Sequence, residues 1–71
     1  MQRYLIVIEP TATGFSAYSP NIAGCVATGA TRADVERTMQ EAIAFHLDGL
    51  RADGQPVPPP TTTAAYVEVA A

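Results

Sequence analysis

The sequence predicts an α+β domain whose elements follow one another as β-β-β-α-β, with one helix packed on one face of a single layer of sheet. Three observations carry that prediction. They are a β-branched run, RYLIVIE, near the N-terminus, two turn-forming stretches after it, and an amphipathic run between Thr31 and Gly54.

RYLIVIE (Arg3 to Glu9) is the first strand, apolar on both parities: Tyr4, Ile6 and Ile8 point one way, Leu5 and Val7 the other. PTATG (Pro10 to Gly14) has turn chemistry at both ends, from Pro10 and Gly14. FSAYS (Phe15 to Ser19) is the second strand, PNIAG (Pro20 to Gly24) a second turn, and CVATG (Cys25 to Gly29) a short third strand. Two hairpins in succession make an antiparallel meander.

The helix has the clearest signals. Thr31 suits an N-cap, and Asp34 stands in the first turn, where a carboxylate complements the helix dipole. Val35, Met39, Ala42, Ile43, His46 and Leu50 form the stripe expected to face the sheet, and Phe45 lies off it. Arg37, Gln40, Glu41, Ala44, Asp48 and Arg51 make the polar face, with Arg37 and Glu41 at ion-pair spacing. Gly54 ends the helix as a C-terminal glycine does.

QPVPPP (Gln55 to Pro60) is an extended connector, and Ala65 to Val69 is the expected last strand. A helix of roughly 20 residues spans about 30 Å, enough to carry the chain back across the sheet. A right-handed crossover then sets the last strand parallel to the first. The resulting sheet order is 3-2-1-4, with the doubly apolar first strand in the centre.

The 71 residues are expected to form one domain, residues 1–71. A chain this short buries only about 60% of its unfolded surface and commonly gains stability from a disulfide, a metal or a second chain. One Cys makes no internal disulfide, and one Cys with one His is too few for a structural zinc site. Homo-oligomerisation remains, and Leu5 and Val7, left on the face the helix does not cover, are candidate contacts.

Charge narrows the partners. Seven acidic residues stand against four arginines, with no lysine, and Arg3, Arg32, Arg37 and Arg51 are scattered. Nucleic-acid binders gather cations onto one surface, so direct DNA or RNA binding is not expected. A partner with a basic surface is the better match. The first apolar run is too short to cross a membrane and has no cleavage site after it, and the unpaired Cys suits a reducing compartment, so a cytoplasmic location is expected.

Chemistry is sparse. Cys25 as a nucleophile would need His46 beside it and a lowered pKa, whereas the start of a strand suits a small apolar side chain. His46, the only imidazole, is expected as a hydrogen-bonded core or interface residue. No catalytic residue, metal ligand or cofactor is expected.

In its order of motifs the chain resembles the N-terminal domain of HicB-like antitoxins. The shared features begin with the apolar first strand and a Gly-aromatic pair opening the second. A P-x-x-x-G-C-x-x-x-G-x-T stretch follows at Pro20, Gly24, Cys25, Gly29 and Thr31, then EAI-x-x-H-L-x-G-L at Glu41 to Leu50, then G-x-P-x-P-x-P from Gly54 to Pro60. Together these cover nearly the whole chain.

The resemblance implies a partial ribonuclease H-like β-β-β-α-β fold and a non-enzymatic protein that acts by binding. The implied partner is a small basic HicA-type RNase toxin, which such antitoxins neutralise. Metal-dependent nuclease chemistry is not implied, because only Glu9 and Glu68 fall on expected strands. The family's usual P-D-L-P-G turn is P-N-I-A-G here, and its acidic helix start has become GATRADV. The C-terminal DNA-binding domain that full antitoxins add has no counterpart in the sequence, so autoregulation through DNA is not expected of it. Candidate contacts for the partner are Phe45, Glu41 and Asp48 on the helix, with Leu5 and Val7 on the sheet. The alternative is a solo homo-oligomeric module that binds a small molecule or another protein.

Overall fold

The structure is a computed structural model, and it describes residues 2–70. Strand β1 is Val7–Pro10, β2 is Phe15–Ser19, β3 is Ile22–Gly29, and helix α1 is Arg32–Ala52. The strands form one antiparallel sheet in the order β1-β2-β3, with Val7 opposite Tyr18 and Tyr18 opposite Val26.

The order of meander and helix follows the sequence expectation, but β1 is Val7–Pro10 rather than Arg3 to Glu9, because among the described residues the run before Val7 has no neighbouring strand to pair with. Local reasons are visible at the other boundaries. In the β1–β2 turn the Thr11 backbone N–H donates to the Gly14 carbonyl at 2.8 Å. Thr31 has extended backbone (φ −130°, ψ 164°), and its hydroxyl oxygen accepts from the Asp34 N–H at 3.1 Å, as an N-cap should. At the other end Gly54 has φ 69°, Gly54 N–H donates to the Arg51 carbonyl, and Gln55 N–H donates to the Leu50 carbonyl. That pair of bonds, closed over a left-handed glycine, is a Schellman motif.

The stretch from Pro20 to Gly24 departs from the expectation. Only Pro20 and Asn21 form the turn, because β3 already begins at Ile22 and carries an irregularity opposite Tyr18 and Ser19. Gly24 sits in it with φ 81°, a conformation that other residues adopt only under strain. Ile22 and Cys25 have opposite strand parity, yet both are buried. The bulge is what turns both of them inward.

The core lies between sheet and helix. It contains Ala17, Ile22, Cys25 and Ala27 from the sheet and Val35, Met39, Ile43 and Leu47 from α1. Tyr4, Ile6 and Ile8 pack against it, as their parity predicts. The helix stripe needs one correction: Leu47 is buried and His46 exposed. The buried residues recur every fourth position, along a row inclined to the helix axis, so the inward face rotates as the helix crosses the sheet. By the fourth turn it has moved off His46 and onto Leu47.

The largest correction concerns the expected fourth strand. Ala65 to Val69 forms no strand, and Tyr66, Val67 and Val69 are 105%, 83% and 78% exposed. Among the described residues, β1 pairs with β2 alone. It is therefore an edge strand, and the order 3-2-1-4 stops at 3-2-1. The reason is the course of the connector. The Tyr4 hydroxyl donates to the Pro58 carbonyl at 2.5 Å, Asn21 Nδ2 donates to Thr61 Oγ1 at 3.1 Å, and the Thr62 N–H donates to Asn21 Oδ1 at 3.3 Å. These bonds draw the chain past the start of β1 towards the β2–β3 turn, away from the edge it was expected to line.

Candidate binding surfaces

The contact residues expected from the sequence fall on two opposite sides of the molecule. Glu41, Phe45 and Asp48 recur at i, i+4 and i+7 on the outward face of α1, all exposed, with Phe45 at 82%. Val7 is half-buried on the far side of the sheet, and Leu5, in the run before β1, is half-buried too. The structure does not bring the two groups together.

On the helix most acids have a local partner. Asp34 pairs with Arg37 at 2.9 Å, Glu36 with Arg32 at 4.0 Å and Asp48 with Arg51 at 3.3 Å, all solvent-exposed. Arg37 thus turns back to Asp34 in the first turn rather than forward to Glu41. Such exposed pairs add little to stability. Glu41 is left without an ion pair among the described residues, next to the exposed ring of Phe45. An unneutralised acid beside an exposed aromatic ring is a combination suited to a cationic protein surface.

On the sheet the exposed face presents Val7, Tyr18 and Val26 side by side across the three strands. Tyr18 and Val26 are 44% and 70% exposed. The sequence reading named only Val7 of this row. The alternation of FSAYS against CVATG could have supplied Tyr18 and Val26, since their inward neighbours Ala17 and Ala27 are the small ones.

A groove of about 550 Å³ runs between α1 and the Gln2 to Ile6 run that leads into β1. Tyr4, Ile6, Ile43, Ala44 and Leu47 make its apolar wall, and Gln2, Glu36, Gln40 and Arg51 its polar rim. It lies where the expected fourth strand would sit, which is why no reading of the sequence that placed a strand there could find it.

Cys25 has the features of a structural residue. It is buried, and burial pushes its thiol above the ordinary value of 9.0. The thiolate that attacks an electrophile is therefore disfavoured. His46 is exposed on the helix, outside the core that holds Cys25. A maleimide probe is expected to label Cys25 slowly in the native protein and rapidly in urea; fast native labelling would overturn the structural assignment. The raised pKa also has a stability consequence. The folded state holds the proton more tightly than the unfolded chain, so this contribution is complete below about pH 9 and declines as pH rises through the higher folded value.

Among the described residues no group of three or more His, Cys, Asp or Glu side chains is placed to hold a metal ion. No helix among them is long and apolar enough to cross a membrane.

Comparison with known proteins places these surfaces in context. A family model described as the HicB-like antitoxin of bacterial toxin–antitoxin systems matches residues 4–70. An uncharacterised 14.9-kDa protein of Haemophilus phage HP1 is 30% identical over 64 residues, 90% of this chain and 48% of the phage protein. A UPF0150 protein of Helicobacter pylori is 38% identical over 47 residues, 66% of this chain and 65% of its own length. The chain thus spans about half of the first of these relatives and about two thirds of the second. Among solved structures, the HicA3 and HicB3 toxin–antitoxin complex contains a chain that is 42% identical, with a TM-score of 0.69 over 83% of this chain and 70% of the other. The crystal structure of the antitoxin HicB3 matches with the same identity and TM-score, over 83% of this chain and 44% of that one.

Proposed function

The chain belongs to the HicB-like antitoxins of bacterial toxin–antitoxin systems, and from that premise we propose that it acts by binding and neutralising a HicA-type toxin without catalysing a reaction of its own. The observation that carries the reading is the match to the antitoxin-like chain of a solved HicA3–HicB3 complex, at 42% identity over 83% of this chain. A protein that acts by occlusion needs surface and shape rather than nucleophiles. Cys25 is buried, and the described acids form no metal cluster.

The outward face of α1 is the contact we assign to the toxin. Glu41 and Asp48 bring negative charge, and Phe45 brings an aromatic side chain that the antitoxin's own fold leaves exposed. The net charge of −3 has the sign that speeds encounter with a basic protein. Val7, on the opposite face of the sheet, and Leu5, just before β1, lie outside this contact and belong to a second surface. The cytoplasm, where a toxin acting on cellular RNA would be met, is the location this role requires.

The test is capture with the tagged 71-residue chain from lysate of its own host, with partners identified by mass spectrometry. Recovery of a stoichiometric small basic polypeptide whose RNase activity falls when the chain is added back is the expected outcome. Phe45→Ala should then weaken that capture about tenfold, the effect of losing an aromatic anchor at an interface centre. Recovery of the chain's own copies alone would overturn the antitoxin reading and leave a self-associating module in its place.

A further inference from the structure

We propose that two copies of this chain exchange their C-terminal segments, Ala65 to Val69 of each lying along the free edge of β1 and the run that leads into it, and in the groove between that run and α1, of the other. The inference is independent of the toxin reading. It rests on three features of one chain that are complementary to each other but unmet within it.

The first is a vacant strand position. Among the described residues the outer edge of β1 has no partner, and open edges present unpaired backbone donors and acceptors to any extended chain. The second is the groove between α1 and the run that leads into β1, about 550 Å³, walled by Tyr4, Ile6, Ile43, Ala44 and Leu47. A strand added to β1 and continued along that run would direct every second side chain into it.

The third feature is the segment itself. Ala65, Val67 and Val69 share one parity, and Tyr66 and Glu68 the other. The apolar parity fits the groove, and Glu68 would face solvent. In the single chain this segment forms no helix or strand and is exposed along its whole length, with Val67 at 83% and Val69 at 78%. Its alternation is that of a half-buried strand without the burial.

The connector decides between the chain's own groove and a neighbour's. Pro58 is held at Tyr4, while Thr61 and Thr62 are held at Asn21 in the β2–β3 turn. The chain therefore moves away from its own β1 edge as it approaches Ala65. Docking on that edge would require a reversal within Thr63 and Ala64, directly after the Asn21 bonds. The radius of gyration, 13.9 Å, is that of a body with an extended arm; a packed chain of this length would have about 11 Å. A two-fold axis turns one arm and one open groove into two identical contacts, the geometry of strand exchange. It also completes, from outside, the four-strand sheet that the sequence predicts.

The experiment is multi-angle light scattering on the 71-residue chain, followed by isotope-filtered NOE spectroscopy on an equal mixture of labelled and unlabelled protein. A mass twice the 7.5 kDa of one chain is expected, with contacts from the Val67 and Val69 methyls to Ile43 and Leu47 crossing between copies. Val67→Asp should halve the mass. Its far-UV circular dichroism should keep the helix signal, because Val67 makes no part of the single-chain core. A monomer in the wild-type protein would overturn the proposal, as would a dimer that Val67→Asp leaves intact. The same methyl contacts confined to one copy would overturn it too, by showing that the arm folds back. A wild-type monomer whose groove is protected only on toxin addition would assign the groove to the toxin instead.

Discussion

Alanine in place of Met39 lowers the unfolding free energy by about 2–5 kcal/mol, the range for deleting a large aliphatic side chain from a packed interior. Met39 is wholly buried at the centre of the helix row, with Val35 and Ile43 one turn to either side and the sheet residues of the core across from it. Natural domains hold about 0.05–0.15 kcal/mol of stability per residue, so 71 residues hold about 4–11 kcal/mol. A small domain lies towards the lower end. The substitution therefore removes a large share of what the single chain has. In urea the transition midpoint should fall by about 2 M or more, given a slope of about 1 kcal/mol/M for a protein of this size. Met39→Leu, which conserves volume, should change stability by less than about 1.5 kcal/mol. If alanine and leucine behave alike, the core is not packed as described.

Gly14→Ala is the second large effect, and it comes from backbone rather than core. A Cβ on Gly14 would collide with the carbonyl oxygen of Gly29 and stand 3.1 Å from the Ala30 Cα. Neither atom belongs to a flexible side chain, so the strands themselves must move. The rung at risk pairs Phe15 with Gly29, directly before the Thr31 cap that starts α1. Overpacking of this kind destabilises by about 1–3 kcal/mol. Gly49 supplies the control within the same molecule. It is exposed in the helix with open space around its Cα, and alanine there should stabilise by about 0.5–1 kcal/mol. Opposite signs for one glycine-to-alanine change at two positions, measured by denaturant melts, would confirm the close approach at Gly14. A neutral Gly14→Ala would refute it.

Local chemistry made much of the fold legible in the sequence. Thr31 with Asp34, and Gly54 past the last turn, mark the ends of α1 where the structure has them, because caps act through neighbours in the chain. Phe15 to Ser19 was bounded correctly for the same reason. What escaped the sequence depends on contacts between distant residues. The bulge at Gly24 is set by pairing against Tyr18 and Ser19, and a strand pattern broken by a glycine looks like a loop. His46 and Leu47 exchange roles because the helix crosses the sheet obliquely, an angle that no helical projection contains. The segment from Ala65 to Val69 has the alternation of a strand, but alternation does not name the strand's neighbour. The bonds of Asn21 to Thr61 and Thr62, 40 and 41 residues apart in the chain, steer it elsewhere.

The candidate surfaces were legible to a similar degree. Glu41, Phe45 and Asp48 could be placed on one outward face from helical spacing alone. The absence of an ion pair at Glu41 could not, since Arg37 had two acids within reach and the structure pairs it with Asp34. The groove between α1 and the run before β1 was hidden by the strand expected to fill it.

The connectivity of the sheet has a kinetic consequence. Each strand pairs with its neighbour in sequence, and α1 packs on the two strands that precede it. Neighbouring strands pair without a long loop to close, and mixed α/β domains of this kind fold between the fast helical bundles and the slow all-β barrels. The body, with Val57 packed on its core, thus forms without any contribution from Ala65 to Val69. Refolding of the body should be first-order and independent of protein concentration, with any association of the arms following as a separate, second-order step.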